Sequence, residues 1–225
     1  MKVGIVGTGT VGRTLALGFS EKGHDVVIGT RDVDALMARI DGDAMGNPPF
    51  AQWKADHPEI GLTTQADAMA HGEIVVNATS GEGSEAALGV GAEHLTGTIV
   101  LDTSNPIDHT SGWPPSLFVA NTDSLGERLQ AAFPQARFVK VWNTMTAALM
   151  TDPGALAGGD HTIPLCGNDA DAKAETTAIL ASFGWRDILD LGDITAARAM
   201  EAYLLIWLRD MGALDTGMFN TKVVR

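Results

Sequence analysis

Residues 2–31 read KVGIVGTGTVGRTLALGFSEKGHDVVIGTR, and their pattern decides the fold. Val3 to Val6 is a short apolar run without a breaker, as expected of a parallel strand buried on both faces. It runs into Gly7, Gly9 and Gly12, spaced G-x-G-x-x-G. Gly7 permits a tight turn, Gly9 leaves room for a pyrophosphate, and Gly12 lets the following helix pack close on the strand. Gly7, Thr8, Gly9, Thr10, Val11 and Gly12 therefore form the expected phosphate cradle, with free amides at a helix N-terminus. A helix from Gly12 to Lys22 turns Leu15, Ala16 and Phe19 toward the sheet and stops at Gly23, and a second strand covers Asp25 to Gly29. A glycine triplet alone is weak evidence. Set between a strand and a helix, it points to a bound dinucleotide.

The end of the second strand selects the cofactor. An acid there accepts from a ribose 2′-hydroxyl, whereas an arginine accommodates a 2′-phosphate. Here the residues are Thr30, Arg31 and Asp32. Thr30 can donate to a phosphate oxygen and Arg31 can clamp it with paired N–H groups, which favours NADP(H). In the alternative, Arg31 caps a surface turn and Asp32 takes the ribose.

Composition narrows the class. At 225 residues, 45% hydrophobic and 19% charged, the chain has the make-up of a packed globular protein, with room for a nucleotide domain and a small appendage. No apolar segment reaches the length of a bilayer span. A formal net charge of −13 argues against nucleic acid and anionic membrane surfaces as partners. The chain opens on a strand and carries one cysteine, Cys166, so no internal disulfide forms. A reducing, cytoplasmic setting is expected, with Cys166 a small core residue. No metal-ligand cluster is evident.

Beyond Arg31 a helix is expected over Val33 to Ile40. Gly42, Gly46, Pro48, Pro49 and Pro58 then make Asp41 to Gly61 an irregular excursion. Its Phe50 and Trp53 suit a lid over the cofactor, a docking patch, or plain packing. The alternation resumes with a helix over Gln65 to His71 and a strand over Ile74 to Ala78. Asn77, Ala78 and Thr79 then border the cofactor at the strand's carboxyl end, or cap the next helix. Ile99 to Asp102 is another buried strand, followed by the polar Thr103, Ser104 and Asn105, with Asn105 on the cofactor side. His109, in the loop beyond, ranks low as a catalytic group. Ser124 and Glu127 form an S-x-x-E capping box for a helix ending at Ala132. Phe138 to Val141 is a strand, and Trp142, Asn143 and Thr144 leave its end where nicotinamide should lie, with Asn143 a donor to a carboxamide or an acceptor carbonyl and Trp142 either covering a ring or packing in the core.

The last third has its own βαβ unit. A strand over Thr162 to Cys166, a helix over Asp169 to Phe183 and a strand over Ile188 to Leu191 lead to a final helix over Ile194 to Met211. The expected architecture is a Rossmann-type, doubly wound, mainly parallel α/β sheet over 1–150, with a small C-terminal βαβ-plus-helix region over 151–225.

No proton donor for ketone or imine reduction stands out. Tyr203, the one tyrosine, lacks a lysine four residues on, and Lys140 and Lys173 have no acid-base partner nearby in sequence. An acceptor with its own redox chemistry, a flavin or deazaflavin, is therefore favoured.

The chain resembles the NADPH-dependent deazaflavin (coenzyme F420) reductase family over nearly its whole length. The segments that carry the match are 6–12, 28–31, Trp142-Asn143-Thr144-Met145, Ile163 to Asp169 and Ala197 to Glu201. The resemblance implies a Rossmann domain holding NADP, a C-terminal region that helps form the deazaflavin pocket, direct hydride transfer between stacked rings, and a homodimer. Two departures are Asp32, where the family often has a second basic residue, and Trp142, where well-known members carry histidine. The runner-up is a β-hydroxyacid dehydrogenase, disfavoured by the absence of room for a long helical second domain. From another class, the chain could be an NADP(H)-binding redox sensor acting through the loop Asp41 to Gly61.

Overall fold

The fold is that of a computed structural model, which describes residues 1–43, 46–108, 110 and 112–225. His109 lies outside these residues. In chain order the elements are β1 (Lys2–Val6), α1 (Thr10–Glu21), β2 (Asp25–Thr30), α2 (Val33–Met37), α3 (Phe50–Asp56), β3 (Gly61–Thr64), α4 (Gln65–His71), β4 (Ile74–Asn77), α5 (Ser84–Gly89) and β5 (Ile99–Asp102). A short ribbon follows, β6 (Ile107–Asp108) and β7 (Ser116–Leu117). The rest is α6 (Leu125–Ala132), β8 (Arg137–Val141), α7 (Ala147–Met150), β9 (Thr162–Cys166), α8 (Ala170–Phe183), β10 (Asp187–Asp190) and α9 (Ala197–Leu214).

One eight-stranded sheet runs in the order β10-β9-β8-β5-β4-β1-β2-β3. From β3 to β8 every pairing is parallel, and the strand order reverses at β1, where the second crossover begins. This is the doubly wound pattern in which ligands lie beyond the carboxyl ends of the strands. The strands are apolar on both faces because helices cover both, and Val3, Ile5, Val76, Leu101, Val139 and Val141 are wholly buried.

The C-terminal region extends this same sheet. β9 pairs antiparallel with β8, with Val141 opposite Leu165, and β10 lies parallel to β9. The apolar core is shared, since Ile163, Leu165, Leu180 and Phe183 belong to the same cluster as Ile5 and Phe19.

Several boundaries differ from expectation. α2 stops at Met37, and the excursion after it is more ordered than its glycines and prolines suggest, since it contains α3 and leads directly into the strand β3. Tertiary packing decides this. Phe50 and Trp53 are buried in the core cluster, so their role is packing. The final helix begins with a 3-10 turn over Ile194–Ala196 and extends as α9 to Leu214. Among the described residues no helix is long and apolar enough to cross a membrane.

Candidate active site

The glycine turn joins β1 to α1. Gly7 has a φ of +132°, and a Cβ there would stand 2.3 Å from the Ala78 carbonyl oxygen. A Cβ on Gly12 would stand 2.1 Å from the Gly7 carbonyl oxygen, so helix and strand could not pack this closely. Gly9 is different. It is exposed, and a Cβ there would meet nothing within 4 Å, so the space beside it is open to a ligand. Gly9 is also the N-cap of α1, with no side-chain cap and no acid in the first turn. The positive end of the helix therefore faces that open space with no acid of its own to offset it, and the cradle fits a pyrophosphate.

Arg13 braces the turn from behind. Its Nε donates to the Thr8 carbonyl at 3.0 Å and its Nη1 to the Pro48 carbonyl at 2.8 Å. Its guanidinium carbon lies 5.0 Å from the Phe50 ring centroid and 5.8 Å from that of Trp53, cation–π range for both. Burial pushes the Arg13 pKa down, and Asp43 nearby opposes this. The Asn47 amide donates to the Thr10 hydroxyl at 2.6 Å. A cavity of about 530 Å³ opens here, lined by Thr8, Gly9, Arg13, Leu36, Arg39 and Phe50 among others. Arg13 and Arg39 stand beside this opening together with Asp41 and Asp43, and its size suits the adenosine end of a nucleotide.

At the end of β2, Thr30 is buried and Arg31 is exposed. Asp32, the rival for the ribose, is the N-cap of α2, and its Oδ1 accepts from the Ala35 amide at 2.9 Å. That is a local capping role.

The ends of β4, β5 and β8 form one hydrogen-bonded floor. Asn77 is fully buried, donates from Nδ2 to Asp102 Oδ1 at 2.9 Å, and accepts the Thr79 hydroxyl at 2.6 Å. Its side chain is thus a structural node at the end of β4. Ala78 and Thr79 are half-buried above it, and Thr79 also bonds Ser84 at the start of α5. Asn105 and Asn143 pair side by side: Asn105 Nδ2 donates to the Asn143 carbonyl at 2.8 Å, and Asn143 Nδ2 donates to Asn105 Oδ1 at 3.0 Å. The first bond fixes which end of Asn105 is the amide, and so fixes Asn143 as well. Asn143 Oδ1 is then left buried without a partner. An orphaned buried acceptor is costly and marks a place where a donor belongs. A nicotinamide carboxamide is such a donor.

For Trp142 the structure takes the packing alternative. It is wholly buried, with φ +65°, packs edge-on against Phe19 and Phe183, and donates its indole N–H to the Met150 carbonyl at 3.1 Å. A ring in that setting is core and is closed to an acceptor. Thr144, two residues on, lines a largely apolar cavity of about 230 Å³ with Pro164, Leu189, Met200, Tyr203 and Val223. The Tyr203 hydroxyl is bonded to that of Thr221.

Sequence reasoning missed the most heavily buried charges in the chain. Lys140 lies in β8 with no exposure, and its Nζ reaches Asp102 Oδ2 at 2.8 Å, Glu201 Oε1 at 2.8 Å and the Ser104 carbonyl at 2.6 Å. Burial alone would lower the Lys140 pKa, but Asp102 and Glu201 raise it above the ordinary lysine value, so the ammonium stays charged. Glu201 in turn accepts the amides of Leu125 and Gly126 at 2.8 and 2.9 Å, which caps α6 from α9. A lysine inside the apolar run of β8 was the available signal. Glu127, explained from sequence by capping alone, also holds Arg198 of α9 through both oxygens, at 2.6 and 2.8 Å. Among the described residues no group of acids, histidines and cysteine is arranged to hold a metal.

The family model for NADP oxidoreductase, coenzyme F420-dependent, matches residues 2–106. A crystal structure of a candidate F420-dependent NADP reductase from Arthrobacter sp. FB24 superposes over 100% of both chains with a TM-score of 0.95 and 52% identity. The chain belongs to the coenzyme F420-dependent NADP oxidoreductase family. It is an NADP-dependent oxidoreductase. The F420-dependent NADP reductase of Methanothermobacter marburgensis is 27% identical over 224 residues, covering 99% of this chain and 89% of that protein. Rat metalloreductase STEAP3 is 28% identical over 202 residues, 89% of this chain; the chain spans about a third, 36%, of that protein's length.

Proposed function

We propose that the chain transfers hydride between NADP(H) and a planar redox acceptor, a deazaflavin of the coenzyme F420 type or a flavin. The observation that carries this reading is the adjacency of Asn143, with its unpartnered buried oxygen, and Thr144, which lines the apolar cavity under α9. The first suits the carboxamide of a nicotinamide, and the second opens toward an apolar ring.

The nucleotide supplies a hydride, and the chain supplies placement and shielding. In this reading Gly7, Thr8, Gly9, Thr10, Val11 and Gly12 hold the pyrophosphate, Thr30 and Arg31 the 2′-phosphate, and Asn105 and Asn143 the nicotinamide, with Ala78 and Thr79 beside it. Residues 151–225 then form the acceptor side. No protein acid is called for: Tyr203 is engaged with Thr221, Lys140 is enclosed by three acceptors, and Lys173 is held by Asp190 and the Gly192 carbonyl. This argues against a β-hydroxyacid dehydrogenase, which needs a free catalytic lysine. A homodimer through α9 is part of the same reading, since Leu205 and Ile206 leave an apolar face exposed there.

The test is NADPH deuterated in turn at each face of C4, mixed with coenzyme F420. Deuterium should appear in the reduced deazaflavin from one face only. Deuterium released to solvent would contradict direct transfer. Strictly stoichiometric NADPH consumption with every deazaflavin, flavin and quinone offered would favour the redox-sensor reading.

A further inference from the structure

The Lys140 cluster holds two carboxylates against one ammonium, so it carries an excess negative charge in a place water does not reach. Such an arrangement is costly unless every lone pair is satisfied. Here every carboxylate oxygen has at least one donor: Asp102 Oδ1 takes the Asn77 amide, the Ser104 amide at 3.1 Å and the Ser104 hydroxyl at 2.7 Å, Asp102 Oδ2 takes Lys140, and Glu201 takes Lys140 and the first amides of α6. The excess charge sits at the positive end of that helix, where it is stabilised. An apolar residue in β8 would fill the same space more simply, so the cluster calls for another explanation.

Its connections supply one. Ser104 is gripped at its carbonyl by Lys140 and at its amide and hydroxyl by Asp102, so its backbone is held on both sides. The next residue is Asn105, which pairs with Asn143. In the other direction Lys140 holds Glu201, whose neighbours on α9, Ala199, Met200 and Tyr203, wall the apolar cavity. A single ammonium thus links the asparagine pair to the helix that forms the opposite wall.

We propose that Lys140 is a positioning residue for hydride transfer: through Ser104 and Asn105 it fixes the Asn143 amide, and through Glu201 it locks α9 at a set distance from it. This rests on the reading of Asn143 as the nicotinamide's partner. Lys140 touches no reactant. Its effect is on where the two rings are held, and misplacement by about 1 Å can cost on the order of a hundredfold in rate.

The test does not need the acceptor. The variants are Lys140→Met and Glu201→Gln, the second retaining an amide oxygen for α6, and both are compared with the unaltered protein by circular dichroism and melting. Affinity is then measured for NADPH and for 2′-phospho-ADP-ribose, which lacks the nicotinamide, together with the fluorescence lifetime of bound NADPH. The expected result is a loss of about tenfold in NADPH affinity, no change for the ringless analogue, and a lifetime shortened toward that of free NADPH. A folded variant of either kind that keeps both the lifetime and the affinity difference would overturn the proposal. Equal losses for both ligands would overturn it too, by showing a general structural role. Failure of the unaltered protein to reduce coenzyme F420 would sink the acceptor reading and leave this comparison standing.

Discussion

Asn105 and Asn143, 38 residues apart, hold each other by two hydrogen bonds of 2.8 and 3.0 Å and leave one oxygen, Asn143 Oδ1, buried and unpartnered. One bond runs to backbone and the other to side chain, so the pair has a single arrangement. Asn143→Ala removes the free acceptor. Hydride transfer from NADPH should slow by up to about a hundredfold through misplacement, with a smaller loss of about tenfold in NADPH affinity. Stopped-flow oxidation beside a binding titration checks this, and equal losses in both would refute it.

Cofactor choice rests on two neighbours with different tasks. Arg31→Ala removes a charge-assisted clamp worth roughly 1.5–3 kcal/mol, so NADPH affinity should fall at least about tenfold while NADH affinity barely moves. Asp32→Ala should do the opposite. It removes the cap of α2, a loss of about 1 kcal/mol, and leaves the NADPH to NADH ratio unchanged. Titration of both nucleotides against both variants separates the roles.

Acid should loosen the contact between α6 and α9. Hydrogen bonds from Arg198 hold the Glu127 carboxyl below the ordinary glutamate range, burial opposes them, and Ser124 assists. A depressed carboxylate contributes stability that is fully present above its unfolded pKa and is lost as pH falls through the lower folded value. The pair is partly exposed, so the effect is moderated by solvent. Melting temperature should therefore drop as the pH is taken below the ordinary glutamate range, and Arg198→Ala should flatten that part of the curve while leaving its shape near neutrality. A variant with an unchanged acid limb would dismiss the pair as a contributor.

The exposed apolar face of α9 provides a test of assembly. Leu205 is 41% and Ile206 56% exposed, which leaves aliphatic surface on α9 for a second copy of the chain to cover. Ile206→Glu should convert a dimer to a monomer in light scattering without altering the circular dichroism spectrum. A monomeric mass for the unaltered protein across a wide concentration range would exclude the dimer.

The sequence by itself determined the nucleotide half of this protein. The signals there are local: the apolar run Val3 to Val6, the turn at Gly7 with its positive φ and the close packing of Gly12 on Gly7 are all written within thirty residues of chain. The Ser124 cap was legible for the same reason. The tertiary structure alone decided the rest. Asp32 stays a possible ribose ligand in sequence until its carboxylate is seen on the Ala35 amide, and Trp142 is open between covering a ring and packing until Phe19 and Phe183 close over it. The antiparallel entry of β9, which merges the C-terminal region with the main sheet, has no local marker. Lys140 is the extreme case. Asp102 and Glu201 lie far from it in sequence on either side, and a buried charge is tolerable only when the fold brings its partners to it.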